Sequence, residues 1–142
     1  RPARPGGAQA LPGRPLVAVA YLDSSVMVSI RFGEAEAARL SEEISTFDEL
    51  ISSNLLESEY RAAHAREERE VEPERLSGIR WILPERPLSS ELARVFSIRY
   101  LRGADAWHLA TALSVVDEPS ELAFITLDTR QRAVAESLGF RT

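Results

Sequence analysis

The chain contains neither cysteine nor lysine. Without cysteine there are no disulfides, thiolate metal sites or cysteine nucleophiles. Without lysine there is no Walker-type phosphate loop, which needs that side chain beside its glycine-rich turn, and no Schiff-base chemistry. Two histidines leave too few ligands for a structural zinc site. The 17 basic residues, all arginine, face 22 acidic ones, for a net charge of −5. A dedicated nucleic-acid binder is usually basic, which argues against that class, although an acidic total is compatible with a local arginine-lined face. No apolar run reaches the length of a membrane span and no signal-peptide pattern is present, so a cytoplasmic protein is expected.

What is present suits one α/β domain. At 142 residues the chain is long enough to bury a single core. Residues 1–15 hold four of the eight prolines and three of the seven glycines, and read as a flexible tail ahead of a domain over 16–142. Leu16–Leu22 is an apolar run without alternation, as in a parallel strand covered on both faces. It ends at Asp23, and helices are predicted from Ser24 to about Gly33 and again from Glu34. Further strands are predicted over Glu49–Ser52, Ile79–Leu83 and Leu122–Leu127, with a short fifth beginning near Gly139. Helices are expected over Ser53–Arg69, from Ser89 or Ser90 to about Tyr100, from Gly103 to Val116, and over Asp128–Leu138. Strands alternating with helices predict a parallel sheet with helices on both faces.

Four acids stand beside apolar runs in this pattern: Asp23, Glu59, Asp105 and Asp128. A carboxylate in such company carries a desolvation cost unless a positive partner offsets it. For several converging carboxylates the simplest shared partner is a hard divalent cation, Mg²⁺ or Mn²⁺. Each acid also has a local reading. Asp23 suits a helix N-cap, as do Ser24 and Ser25. Asp128-Thr129-Arg130-Gln131 fits a capping box, a role compatible with metal binding because one oxygen can serve each. Asp105, in the first turn of a helix apolar almost all round, is favoured there by the helix dipole. Asn54-Leu55-Leu56-Glu57 has capping-box spacing and gives Glu57 a local task. Glu59 instead falls on the side of Leu55 and Ala63, which makes it the better candidate.

Ser25 and Thr126 are small hydroxyls suited to orienting those carboxylates or a water. His108 reads as hydrogen-bonded structure, His64 as a surface residue, and Trp81 and Trp107 as core. Ligands on parallel sheets bind beyond the carboxyl ends of the strands, where Asp23 and Asp128 fall.

Tyr21-Leu22-Asp23-Ser24-Ser25-Val26 resembles the opening of PIN-domain nucleases, particularly VapC-type toxins of bacterial toxin–antitoxin pairs. The Ser53-x-Leu55-x-x-x-Glu59 pattern, the block from Leu101 to Ala112 and the block Phe124-Ile125-Thr126-Leu127-Asp128 are similar to that family's later blocks. The resemblance implies a three-layer α/β/α sandwich around a parallel sheet of about five strands. It also implies a Mg²⁺ or Mn²⁺ site at Asp23, Glu59, Asp105 and Asp128, and endoribonuclease activity leaving 5′-phosphate and 3′-hydroxyl ends. A small VapB-like antitoxin, a homodimer and no membrane association are the implied partners. Arg61, Arg102, Arg130 and Arg132 flank the acids and are candidates for RNA phosphate contacts or ordinary surface roles.

Other classes fit less well. A phosphate-receiver domain needs a lysine, and an aspartate-nucleophile phosphatase wants Asp-x-Asp where this chain has Asp23-Ser24-Ser25. A PIN nuclease outside a toxin–antitoxin pair, or an inactive PIN module, remains an alternative. The inactive module would be expected to lack one or more of the four acids, and none is missing.

Overall fold

The computed structural model describes residues 17–142; the proposed tail over 1–15 lies outside them. Strand β1 (Val19–Leu22) sends alternate side chains to opposite faces, as period-two geometry requires. Ala20 and Leu22 enter one core with Val26, Leu40, Leu56 and Tyr60. Tyr21 enters the other with Leu109, Phe124 and Val134. Both faces are covered, which explains why the run carries no polar alternation.

On the first face lie α1 (Ser24–Phe32), α2 (Ala37–Ser45) and α3 (Leu55–Arg66); on the second lie α4 (Ser89–Ile98), α5 (Gly103–Val115) and α6 (Thr129–Leu138). Between them β1, β2 (Glu49–Ser53), β3 (Ile79–Ile82) and β4 (Ala123–Ile125) form a parallel sheet in the order β3-β2-β1-β4. The chain winds outward from β1 to β3, then crosses back through α4 and α5 to place β4 on the other side of β1. The winding therefore reverses between β1 and β4, the switch point at which such sheets open a crevice.

The three-layer architecture agrees with expectation, with four strands in place of about five. After Gly139 the chain makes only an isolated parallel bridge, Ala123 to Arg141, closed by Phe124 N–H to the Arg141 carbonyl at 2.7 Å. β1 also starts later than predicted. Val17 is exposed, and at Ala18 the N–H is taken by the Asp48 carboxylate at 2.7 Å, so ladder pairing begins only at Val19. β4 stops at Ile125 because Thr126 Oγ1 turns back to accept the Asp128 N–H at 3.0 Å.

Helix α3 departs from the sequence reading at both ends. The Ser53 hydroxyl, still on β2, accepts the Leu55 N–H at 3.0 Å, so Asn54 makes no side-chain cap and the expected Asn54–Glu57 box does not form. Glu57 pairs with Arg61 at 2.9 Å instead. The helix stops at Arg66 because Glu68 turns left-handed, with φ 52°, and the Arg69 N–H closes on the His64 carbonyl at 2.9 Å. His64, expected at the surface, is fully buried between the Tyr60 and Phe32 rings, with Nδ1 2.8 Å from the Tyr60 carbonyl. Trp81 and Trp107 are half-buried rather than central to the core.

Helix α5 is the beam that carries Asp105 to the sheet end, and Leu109 anchors it, fully buried against β1 and α6 residues. Leu109→Ala is expected to lower stability by about 2–5 kcal/mol, through lost burial and the cavity left behind. Urea denaturation followed by circular dichroism measures the loss.

Candidate metal centre

The four acids reach one cleft from four elements. Asp23 follows β1 directly and is the N-cap of α1, its carboxylate accepting the Ser25 N–H at 3.2 Å. Glu59 projects from the second turn of α3, and Asp105 from the first turn of α5. Asp128 is the N-cap of α6 and accepts the Gln131 N–H at 2.9 Å. All four line a cleft of about 440 Å³ together with Ser25, Arg66 and Arg102. Local capping and a shared site therefore coexist at Asp23 and Asp128, as the sequence allowed.

Asp23 is the deepest of the four, 4% exposed. Its neighbours are neutral. Thr126 Oγ1 lies 3.2 Å from Asp23 Oδ2 and 2.7 Å from Gln131 Oε1, so its one hydrogen serves a single acceptor at a time. Gln131 Nε2 donates to Asp23 Oδ1 at 3.4 Å and to the Asp105 carbonyl at 3.1 Å. Ser25 Oγ accepts the Leu127 N–H at 3.1 Å and sits 3.5 Å from Thr126 Oγ1, which binds the loop after β4 to the start of α1. Ser25 and Thr126 thus both stand beside Asp23.

Gln131 is the residue that sequence reasoning missed. Read only as the reciprocal member of a capping box, it is instead fully buried and bridges Asp23, Asp105 and Thr126. The signal was available in the helical period. Gln131, Val134, Ala135 and Leu138 form the buried stripe of α6, and a polar residue on that stripe requires partners. His108 was read as structure and does make hydrogen bonds, but to the site itself: Nε2 lies 2.7 Å from Glu59 Oε1 and 3.9 Å from Asp23 Oδ1. Its Nδ1 lies 2.7 Å from the hydroxyl of Tyr21, whose phenol burial pushes far above its ordinary range.

The arginines divide. Arg102 borders the cleft, 3.4 Å from Asp105 and largely exposed. Arg130 lines an adjoining groove of about 550 Å³ with Tyr100, Arg102, Asp105 and Asp128. Arg66, not singled out in the sequence, also lines the cleft. Arg61 is engaged by Glu57, and Arg132 donates to the Thr126 carbonyl at 2.6 Å from a separate cavity beside Arg39 and Glu43. Neither lines the acid cleft.

Charge balance in the cleft is unfavourable as it stands. Burial, then the Asp23 charge and more weakly Asp128, hold the Asp105 carboxyl above its ordinary value, and Arg102 offsets only part of this. Among the described residues no three acidic or histidine side chains stand close enough to cage an ion. The donor set is nonetheless all hard oxygen, and Mg²⁺ keeps several waters while taking only one or two carboxylates directly. The residues fit such a cation: a crowded, under-neutralised carboxylate group open on one side.

A carboxyl whose folded-state pKa is raised penalises the folded state above that pKa, and the penalty fades as pH falls through the carboxylate range. In metal-free protein at neutral pH, Asp105→Asn is therefore expected to raise the melting temperature by about 2–4 °C. The gain should shrink toward pH 4, and calorimetry in EDTA at two pH values checks both signs.

Comparison with curated proteins gives no match. The sequence pattern of the PIN domain matches residues 20–137, from within β1 almost to the end of α6, and so takes in all four acids. With an α/β/α sandwich and acids gathered at its switch point, the chain belongs to the PIN domain family, whose members are in general metal-dependent nucleases.

Proposed function

We propose that this protein is a Mg²⁺- or Mn²⁺-dependent endoribonuclease acting as the toxin of a type II toxin–antitoxin pair. The observation that carries the nuclease reading is the meeting of Asp23, Glu59, Asp105 and Asp128 in one cleft, with the Asp105 carboxyl pushed up by burial and then by the Asp23 charge. Asp23, Asp105 and Asp128 would hold the cation, with Glu59 completing the set. The bound ion supplies Lewis acidity toward a phosphate oxygen and a water of lowered pKa.

The chain's own residues do the remainder. Gln131, Thr126 and the Ser25 N–H fix Asp23, so that this carboxylate needs no reorganisation when substrate arrives. Asp128, tied to α6 by its cap, keeps one oxygen on the Gln131 N–H and leaves the other for the cleft. Arg102 and Arg130 face the adjoining groove, where guanidinium groups suit backbone phosphates flanking the scissile one. Exposed Tyr100 in the same groove offers a ring on which an unpaired base can stack. These groups support a single-stranded RNA substrate, and hydrolysis would leave 5′-phosphate and 3′-hydroxyl ends. For the toxin role the proposed partners are a small VapB-like antitoxin covering the cleft and a second copy of this chain. A PIN nuclease outside a toxin–antitoxin pair would share the same site chemistry.

Incubation with unstructured and structured RNA should give cleavage in Mg²⁺ or Mn²⁺ and none in EDTA. Asp23→Asn and Asp105→Asn should each slow it by roughly 10²–10³-fold. Cleavage that survives EDTA, or survives Asp23→Asn at full rate, sinks the metal-site reading.

A separate measurement addresses the groove. With cleavage blocked by Asp23→Asn, replacing Arg102 or Arg130 by alanine should weaken RNA binding for every sequence tested. It should also flatten the dependence of log affinity on log salt by about 0.7 per arginine.

A further inference from the structure

We infer that His108 is a positioning residue for Glu59, its Nε2 turned to that carboxylate and its Nδ1 backed by the Tyr21 hydroxyl. The inference rests on the metal-site reading above and adds to it the device that holds the fourth acid.

A hydrogen-bonded chain runs across the end of the sheet. At the end of β2, the Ser53 N–H donates to the Tyr21 oxygen at 3.0 Å. That leaves the phenolic hydrogen for the 2.7 Å contact with His108 Nδ1. At the far side of the ring, Nε2 meets Glu59 Oε1 at 2.7 Å. A carboxylate only accepts, so Nε2 must carry the hydrogen, and in the neutral ring Nδ1 is then bare and ready to accept from Tyr21. The carboxylate end asks for this arrangement, and the Tyr21 hydroxyl accommodates it.

The surroundings fix the ring as firmly as the tautomer. His108 is fully buried, and Tyr21 packs edge-on against it with centroids 5.7 Å apart. Asp23 Oδ1, 3.9 Å from the same Nε2, places the imidazole behind two of the four acids. Glu59 belongs to the helical layer opposite α5, so the contact ties one layer's carboxylate to the other layer's helix. Trp107 ties α5 to the end of β2 as well, its indole N–H donating to Ser53 Oγ at 3.2 Å.

Without that anchor a long carboxylate side chain, 30% exposed at the mouth of the cleft, would turn toward water. A histidine needed only for packing would be satisfied by backbone groups. Here each ring nitrogen is spent on a side chain that leads to the site. Partners of this kind are what hold carboxylates ready for a metal.

Two measurements test the inference. In isotopically labelled, metal-free protein, the long-range proton–nitrogen NMR pattern of His108 should show a hydrogen on Nε2. A bare Nε2 overturns the inference, and this reading needs no variant to fold. Mn²⁺ affinity, followed by electron paramagnetic resonance without RNA, should fall about 10–100-fold in His108→Leu. His108→Gln, whose amide N–H can take the place of Nε2–H, should recover most of that loss. Tyr21→Phe, which removes the contact behind Nδ1, should lose affinity to an intermediate degree. Equal Mn²⁺ affinity in wild type, His108→Leu and Tyr21→Phe overturns the positioning role while the metal-site reading stands. A wild type that binds no Mn²⁺ defeats the metal-site reading and this inference together.

Discussion

Asp23 is buried against neutral donors rather than against a cation. Gln131, Thr126 and the Ser25 N–H surround it, and no arginine reaches it among the described residues. Burying a carboxylate in this way is costly, and the cost grows because Asp105 and Asp128 bring further negative charge to the same cleft. Much of the local structure serves this arrangement. The early end of β4, the polar residue on the apolar stripe of α6 and the buried histidine of α5 each supply or orient a group facing the acids. This neutral polar support surrounds charge that nothing among the described residues balances, which is what the proposed cation would offset.

The sheet makes the convergence possible. Because β4 returns to the far side of β1, the carboxyl ends of the two strands diverge into helices on opposite layers. Asp23 and Asp128 then stand at helix N-caps facing a common crevice, and α5 delivers Asp105 in its first turn. α3, entering from β2, adds Glu59. Asp23, Asp105 and Asp128 stand at a helix N-cap or in a first turn, where the helix dipole lessens the cost of negative charge. The dipoles and the neutral donors together make the acidic cleft tolerable; neither balances its charge.

Much of this was legible in the sequence for a local reason. The apolar run before Asp23, the facing of Glu59 against Glu57 and the apolar context of Asp105 are properties of short segments, and short segments fold much as their patterns say. What escaped was decided by partners distant in the chain. Gln131 had a satisfactory local role as half of a capping box, and nothing nearby in sequence showed that Asp23 and Asp105 would claim its side chain. His64 shares a helical face with Glu57, Arg61 and Glu68, yet the Phe32 ring from α1 covers it. The Asn54 cap failed because Ser53, one residue earlier, was already placed by the strand. The last strand was reduced to a single bridge beside a β4 only three residues long.

The central claim is that these carboxylates form one cation site. A crystal soaked in Mn²⁺ and measured for anomalous scattering tests it most directly. The account predicts a Mn²⁺ peak in the cleft between Asp23, Asp105 and Asp128, with Glu59 on its His108 side. An occupied ion elsewhere on the protein with this cleft empty, or none at saturating Mn²⁺, would contradict it.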